Sequence, residues 1–121
     1  MIAGLFAALL LFGQPAADTT LPECDANLQV CPVIDPATGL PKAWPVDIQG
    51  FQDDVETCVH FAGEEAYDAA RRRQMEAAIK RHCDGSARAL PRLRKRYEKA
   101  PEALARIEAI QAFRVEAIGG Q

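Results

Sequence analysis

The stretch CVHFAGEEAYDAARRRQMEAAIKRHC, Cys58 to Cys83, decides the fold: two segments with helical periodicity flank a Gly63-Glu64-Glu65 turn, and each carries a cysteine. Upstream, apolar residues recur at Ile48, Phe51, Val55, Cys58, Val59 and Ala62, the spacing of one helix face, and Asp47 is a suitable N-cap. Gly63 is expected to end this helix in left-handed geometry, with Glu64-Glu65-Ala66-Tyr67 as the connection. Asp68 can cap a second helix whose inner face is Met75, Ala78, Ile79, His82 and Cys83 and whose outer face carries Arg71, Arg72, Glu76 and Lys80. Asp84-Gly85 is expected to stop it.

A third periodic segment, Leu90, Leu93, Tyr97 and Ala100, begins near Pro91, a residue suited to a first turn. Pro101 restarts the chain, and a last helix from about Glu102 to Ile118 is expected to bury Leu104, Ile107, Ile110 and either Phe113 or Val115. The expected fold is all-α: a small disulfide-stapled bundle of three to four helices over residues 47–121. It is preceded by an extended proline-rich arm over 18–46. The arm, DTTLPECDANLQVCPVIDPATGLPKAWP from Asp18 to Pro45, holds five prolines, each of which removes a backbone donor and disfavours helix in the residue before it. Asp35-Pro36-Ala37-Thr38-Gly39 reads as a turn, and Trp44 as the aromatic that pins the arm to the helices.

Residues 1–17 read as a signal peptide: Ile2 to Phe12 is an uncharged apolar run of 11, followed by Gly13, Gln14, Pro15 and the small pair Ala16-Ala17. A bilayer core needs about 20 apolar residues, so the run cannot span one, and no stable membrane insertion is expected after leader removal. The expected location is periplasmic or secreted. Export favours oxidised cysteines, and the even number leaves none over. The intervals of six, 26 and 24 residues contain no Cys-x-x-Cys pair of the kind that builds zinc sites. The expected bridges are Cys24 to Cys31, closing a small loop in the arm, and Cys58 to Cys83, joining the two organising helices. The second requires a stretched connection, because Cys83 lies about 22 Å down its helix from Asp68 and Cys58 only about 6 Å from the end of its own.

Charge is segregated. Asp18 to Asp68 holds 11 acids against Lys42 alone, and Ala69 to Gln121 holds 13 bases against six acids, so the halves carry about −10 and +7. One account packs the acidic half against the basic helices. The other presents a basic face of Arg88, Arg92, Arg94, Lys95, Arg96 and Lys99 to an anionic partner, an envelope or secreted protein among them. Nucleic acid is not an expected partner, since the protein is exported and the segment interleaves few aromatics for base stacking.

Chemistry-bearing residues are sparse. His60 and Glu64 are four apart, and His82 could join them, with Glu65 nearby, in a metal or acid–base site. A histidine near a helix C-terminus is also favoured simply by the helix dipole. Ser86, the single serine, lacks the Gly-x-Ser-x-Gly surroundings of a nucleophile and is expected to cap a turn. No glycine-rich phosphate loop is present, and no cofactor is expected. At Cys58, His60, Phe61, Gly63 and Glu64, followed by Tyr67, Asp68, Arg71 and Cys83, the chain resembles small exported proteobacterial proteins of unknown function. Cys83 through Leu90, Leu93 and Tyr97 resembles the lysozyme-inhibitor-like proteins of the LprI type, in which a cysteine pair precedes a leucine-patterned helix bearing a Tyr. Both resemblances imply an exported protein, the second also a helical and disulfide-bonded one, and neither assigns an inhibitory or catalytic residue. The expectation is therefore a non-enzymatic protein acting through protein or cell-envelope contacts.

Overall fold

Apolar stripes at helical spacing build three helices, and the computed structural model describes them within Cys24 and residues 29–119. They are α1 (Val46–Ala62), α2 (Ala69–Arg96) and α3 (Pro101–Ile118). The leader expected over residues 1–17 lies outside the described residues. Helix α1 starts two residues earlier than an Asp47 cap would place it, with Pro45 as its N-cap. Asp47 instead sits in the first turn, where a carboxylate complements the helix dipole and accepts the Ile48 N–H at 2.9 Å. Gly63 ends α1 with φ −94°, so the expected left-handed geometry is not adopted; its N–H bonds the Val59 carbonyl in a right-handed turn. Left-handed geometry does close α3, at Gly119 with φ 73°.

Asp68 caps α2 as anticipated, its carboxylate accepting the Arg71 N–H at 2.7 Å. The helix does not stop at Asp84-Gly85. It continues to Arg96, 28 residues in all from Ala69, with Pro91 inside it. The inner stripe explains why: Met75, Cys83, Ser86, Leu90 and Leu93 are all buried, and the stripe passes straight over Gly85. Burying the two leucines is worth roughly 2 kcal/mol each, which exceeds the roughly 1 kcal/mol that a mid-helix glycine costs and offsets much of the proline penalty. Ser86 is accordingly not a turn cap. It is fully buried in mid-helix, where its hydroxyl donates to the Cys83 carbonyl at 3.0 Å and accepts from Arg114 at 3.1 Å.

The core joins Ile48, Phe51, Val55 and Val59 of α1 to Leu90 and Leu93 of α2 and Ile107 and Ile110 of α3. Of the two C-terminal alternatives, Phe113 packs against this core while Val115 is 44% exposed. Both bridges form as expected, Cys24–Cys31 with Cα atoms 5.3 Å apart and Cys58–Cys83 with Cα atoms 5.0 Å apart. The second fixes the register of an antiparallel pair. Asp47 at the start of α1 meets Tyr97 just past the end of α2, and Cys58 meets a residue halfway along α2. The first half of α2 therefore runs on beyond Cys58, and the connection between α1 and α2 spans the offset.

The described part of the arm, from residue 29 on, is folded onto this bundle. Asp35 to Gly39 makes the turn read from the sequence, with Gly39 at φ 71° and the Ala37 N–H on the Asp35 carboxylate at 2.8 Å. Ile34 and Pro41 form an isolated antiparallel bridge across it. Val30 enters the core and its N–H bonds Glu56 of α1 at 2.7 Å. Arg106 of α3, only 5% exposed, donates to the Cys31 carbonyl at 2.7 Å and to Gln52 of α1 at 2.8 Å. Trp44 packs against the core between Arg106, 5.7 Å from its ring centroid, and Lys42, at 4.6 Å. It holds the arm as its position suggested. Burial pulls the Arg106 guanidinium below its ordinary value, opposed by the charge of Glu56.

Candidate anion-binding groove

On α2, Arg88, Arg92 and Arg96 recur every fourth residue, which puts them on one stripe at steps of about 6 Å. The antiparallel register set by the Cys58–Cys83 bridge turns that stripe toward Asp47, Phe51 and Asp54 of α1. Between the helices lies a groove of about 470 Å³, within the range of small-ligand sites. Its floor is apolar, made by Phe51, Ala89 and Leu93, and its two long walls carry opposite charge.

The acidic wall is occupied by partners from the protein itself. Asp47 accepts the Tyr97 hydroxyl at 2.7 Å and lies 3.2 Å from the Arg96 guanidinium. That hydrogen bond to a carboxylate raises the Tyr97 hydroxyl above its ordinary pKa. Asp54 bonds His82 Nδ1 at 2.7 Å. The basic wall is so occupied only at Arg96. Among the described residues, neither Arg88 nor Arg92 makes a side-chain hydrogen bond or an ion pair, although both line the groove.

The basic face read from the sequence thus divides. Arg94 turns to α3 and pairs with both carboxylate oxygens of Glu108, at 2.6 and 2.9 Å. The bond holds the Glu108 carboxyl below its ordinary range and the guanidinium above its own. The pair's contribution is complete above the ordinary carboxylate range and is lost as acid protonates Glu108. Lys95 and Lys99 are exposed outside the groove. Segregated charge is also partly consumed within the fold, since Arg71 pairs with Glu64, Arg96 with Asp47 and Lys42 with Glu102.

His60, Glu64 and His82 are not brought together as a trio. His60 Nε2 lies 3.5 Å from Glu64, whose other oxygen accepts Arg71 Nε at 3.0 Å. Glu65 is exposed. His82 stands 11 residues further along α2 than Arg71, about 16 Å by helix rise, and pairs with Asp54 instead. Among the described residues, no three His, Cys, Asp or Glu side chains are grouped as metal ligands. Asp54 did not stand out in the sequence. Its signal is positional, one helical turn before Cys58, just as His82 immediately precedes Cys83.

A second groove, also of about 470 Å³, lies between the arm and α3, lined by Val33, Ile34, Trp44, Ala105 and Ala109. Its cations already have partners within the protein, Lys42 with Glu102 and Arg106 with the Cys31 carbonyl and the Gln52 side-chain oxygen. No protein-family model, curated protein or solved structure matches the chain. Its described residues form three helices with two disulfides, and none of these helices is long and apolar enough to cross a membrane.

Proposed function

We propose that this is an exported, non-enzymatic binding protein of the periplasm or exterior that acts by contact with an anionic partner at the α1–α2 groove. The observation that carries the reading is the contrast between the walls. Arg88 and Arg92 line the groove without a carboxylate partner of their own, whereas Arg71, Arg94 and Arg96 each pair with one. Guanidinium groups recognise carboxylates and phosphates through paired parallel donors, so an open pair is suited to capture such a group. Two disulfides suit an oxidising compartment. The one imidazole–carboxylate pair with short geometry, His82–Asp54, has the Ser86 hydroxyl nearby in sequence, but that hydroxyl is committed to the Cys83 carbonyl.

The test is co-sedimentation of the purified exported protein with a cell-envelope fraction at increasing salt. Mature protein beginning at Ala17 or Asp18 should be retained at low ionic strength and released above about 0.3 M salt, where exposed charges are screened within a few ångströms. Failure to co-sediment at low salt, or retention indifferent to salt, would remove the reading.

A further inference from the structure

The geometry points to a phosphate monoester as the group held by Arg88 and Arg92. This rests on the reading of the α1–α2 groove as a contact surface for an anion, and it names the chemistry of that anion.

Three features select the class. The wall's cations are all arginine, and the two without internal partners are one helical turn apart, so both guanidinium forks can converge on one anionic group. A phosphate monoester carries about −1.5 to −2 charge at neutral pH and three terminal oxygens, enough for two forks, whereas a carboxylate or a phosphodiester offers two such oxygens and one charge. The facing wall then disposes of the rest of the ligand. Asp47 and Asp54 repel a second anion from that side, the second Asp54 oxygen, which His82 does not bond, can accept from a hydroxyl group, and Phe51 and Leu93 provide an apolar floor. The site therefore takes a phosphate monoester on a hydroxylated or partly apolar carrier, which can be a free small molecule or a lipid headgroup.

Gly85 keeps the end of the groove open. A Cβ there would come within 3.7 Å of the Asp54 carboxylate, an ordinary contact, so Gly85→Ala is tolerated by the fold but narrows the cavity beside Arg88.

The experiment is titration of the intact disulfide-bonded protein with inorganic phosphate, followed by amide NMR, with acetate at matched ionic strength as the comparison. Saturable shifts confined to Gly85, Arg88, Ala89 and Arg92, at least threefold tighter for phosphate than for acetate, are expected. Arg88→Gln and Arg92→Gln should each weaken binding about tenfold, the worth of one charge-assisted contact of about 1.4 kcal/mol. Arg94→Gln, whose guanidinium belongs to Glu108, should leave it within twofold. Thermal melting of each variant separates lost binding from lost fold. The source is distinguished by two further probes: glycerol 3-phosphate in solution, and vesicles containing phosphatidic acid compared with vesicles of the diester phosphatidylglycerol at equal charge. Binding to either monoester probe supports the assignment. Equal response to phosphate and acetate, non-saturating shifts, or shifts centred on Arg72 and Arg73 would overturn it. Salt-sensitive envelope retention with a silent phosphate titration would overturn the monoester assignment alone and leave the contact reading standing.

Discussion

Replacing Cys58 and Cys83 together by alanine is expected to lower the unfolding free energy by about 3 kcal/mol, from the loop-closure entropy of the interval the bridge closes. The interval is long, with 25 positions of sequence separation, and it contains the whole reversal of direction between α1 and α2. Domains of this size have only about 5 to 10 kcal/mol in total, so the loss is a large fraction. Its consequence reaches the groove, because Asp54 and His82 flank the two cysteines and the bridge aligns Arg88 with α1. Urea unfolding of the double variant beside the native protein measures the effect. A loss below about 1 kcal/mol would mean that the packed faces of α1 and α2 hold the register unaided.

Arg106→Met is expected to cost about 2 kcal/mol and to release the arm. The methionine can still cover Trp44, but the Cys31 carbonyl and the Gln52 side-chain oxygen lose their charged donor. Removing a buried cation also recovers desolvation energy, which is why the cost falls short of two full charged hydrogen bonds. Glu56 is not stranded, since it still accepts the Val30 N–H and the Gln52 amide. Arg106→Lys should not restore the native state, because one ammonium cannot reach both acceptors as the planar fork does. Limited proteolysis reads the outcome: cleavage between Val33 and Ala43 should become rapid in the variants while α1 to α3 stay resistant. An arm as protected as the native one would show that Val30 and Trp44 suffice.

How far the sequence speaks depends on whether the deciding contacts are local. The α1 stripe of Ile48, Phe51, Val55, Cys58 and Val59 was readable because one face of one helix carries it, and all five are buried. The Asp68 cap and the Asp35–Gly39 turn were readable for the same reason. Gly85 and Pro91 misled because their local preference is to end helices, while the stripe through Ser86, Leu90 and Leu93 is rewarded only once α1 and α3 are present. The Asp54–His82 pair joins residues 28 positions apart and the Arg94–Glu108 pair residues 14 apart, so no spacing rule separates Arg94 from Arg88 and Arg92. The basic stretch was visible as a stretch; which of its members face the groove was a tertiary fact.

Charge reversal at two places on one helix, matched in net charge between the two variants, tests the central claim most directly. Arg88→Glu with Arg92→Glu, and Arg72→Glu with Arg73→Glu, alter the protein's charge equally, and all four positions are exposed on the same helix. Only the first pair lines the groove. Envelope retention measured at low salt should fall at least tenfold in the groove variant and stay within about twofold of native in the other, with both variants melting as native does. Equal losses in the two variants would mean that retention follows overall charge and that the groove is not the contact surface.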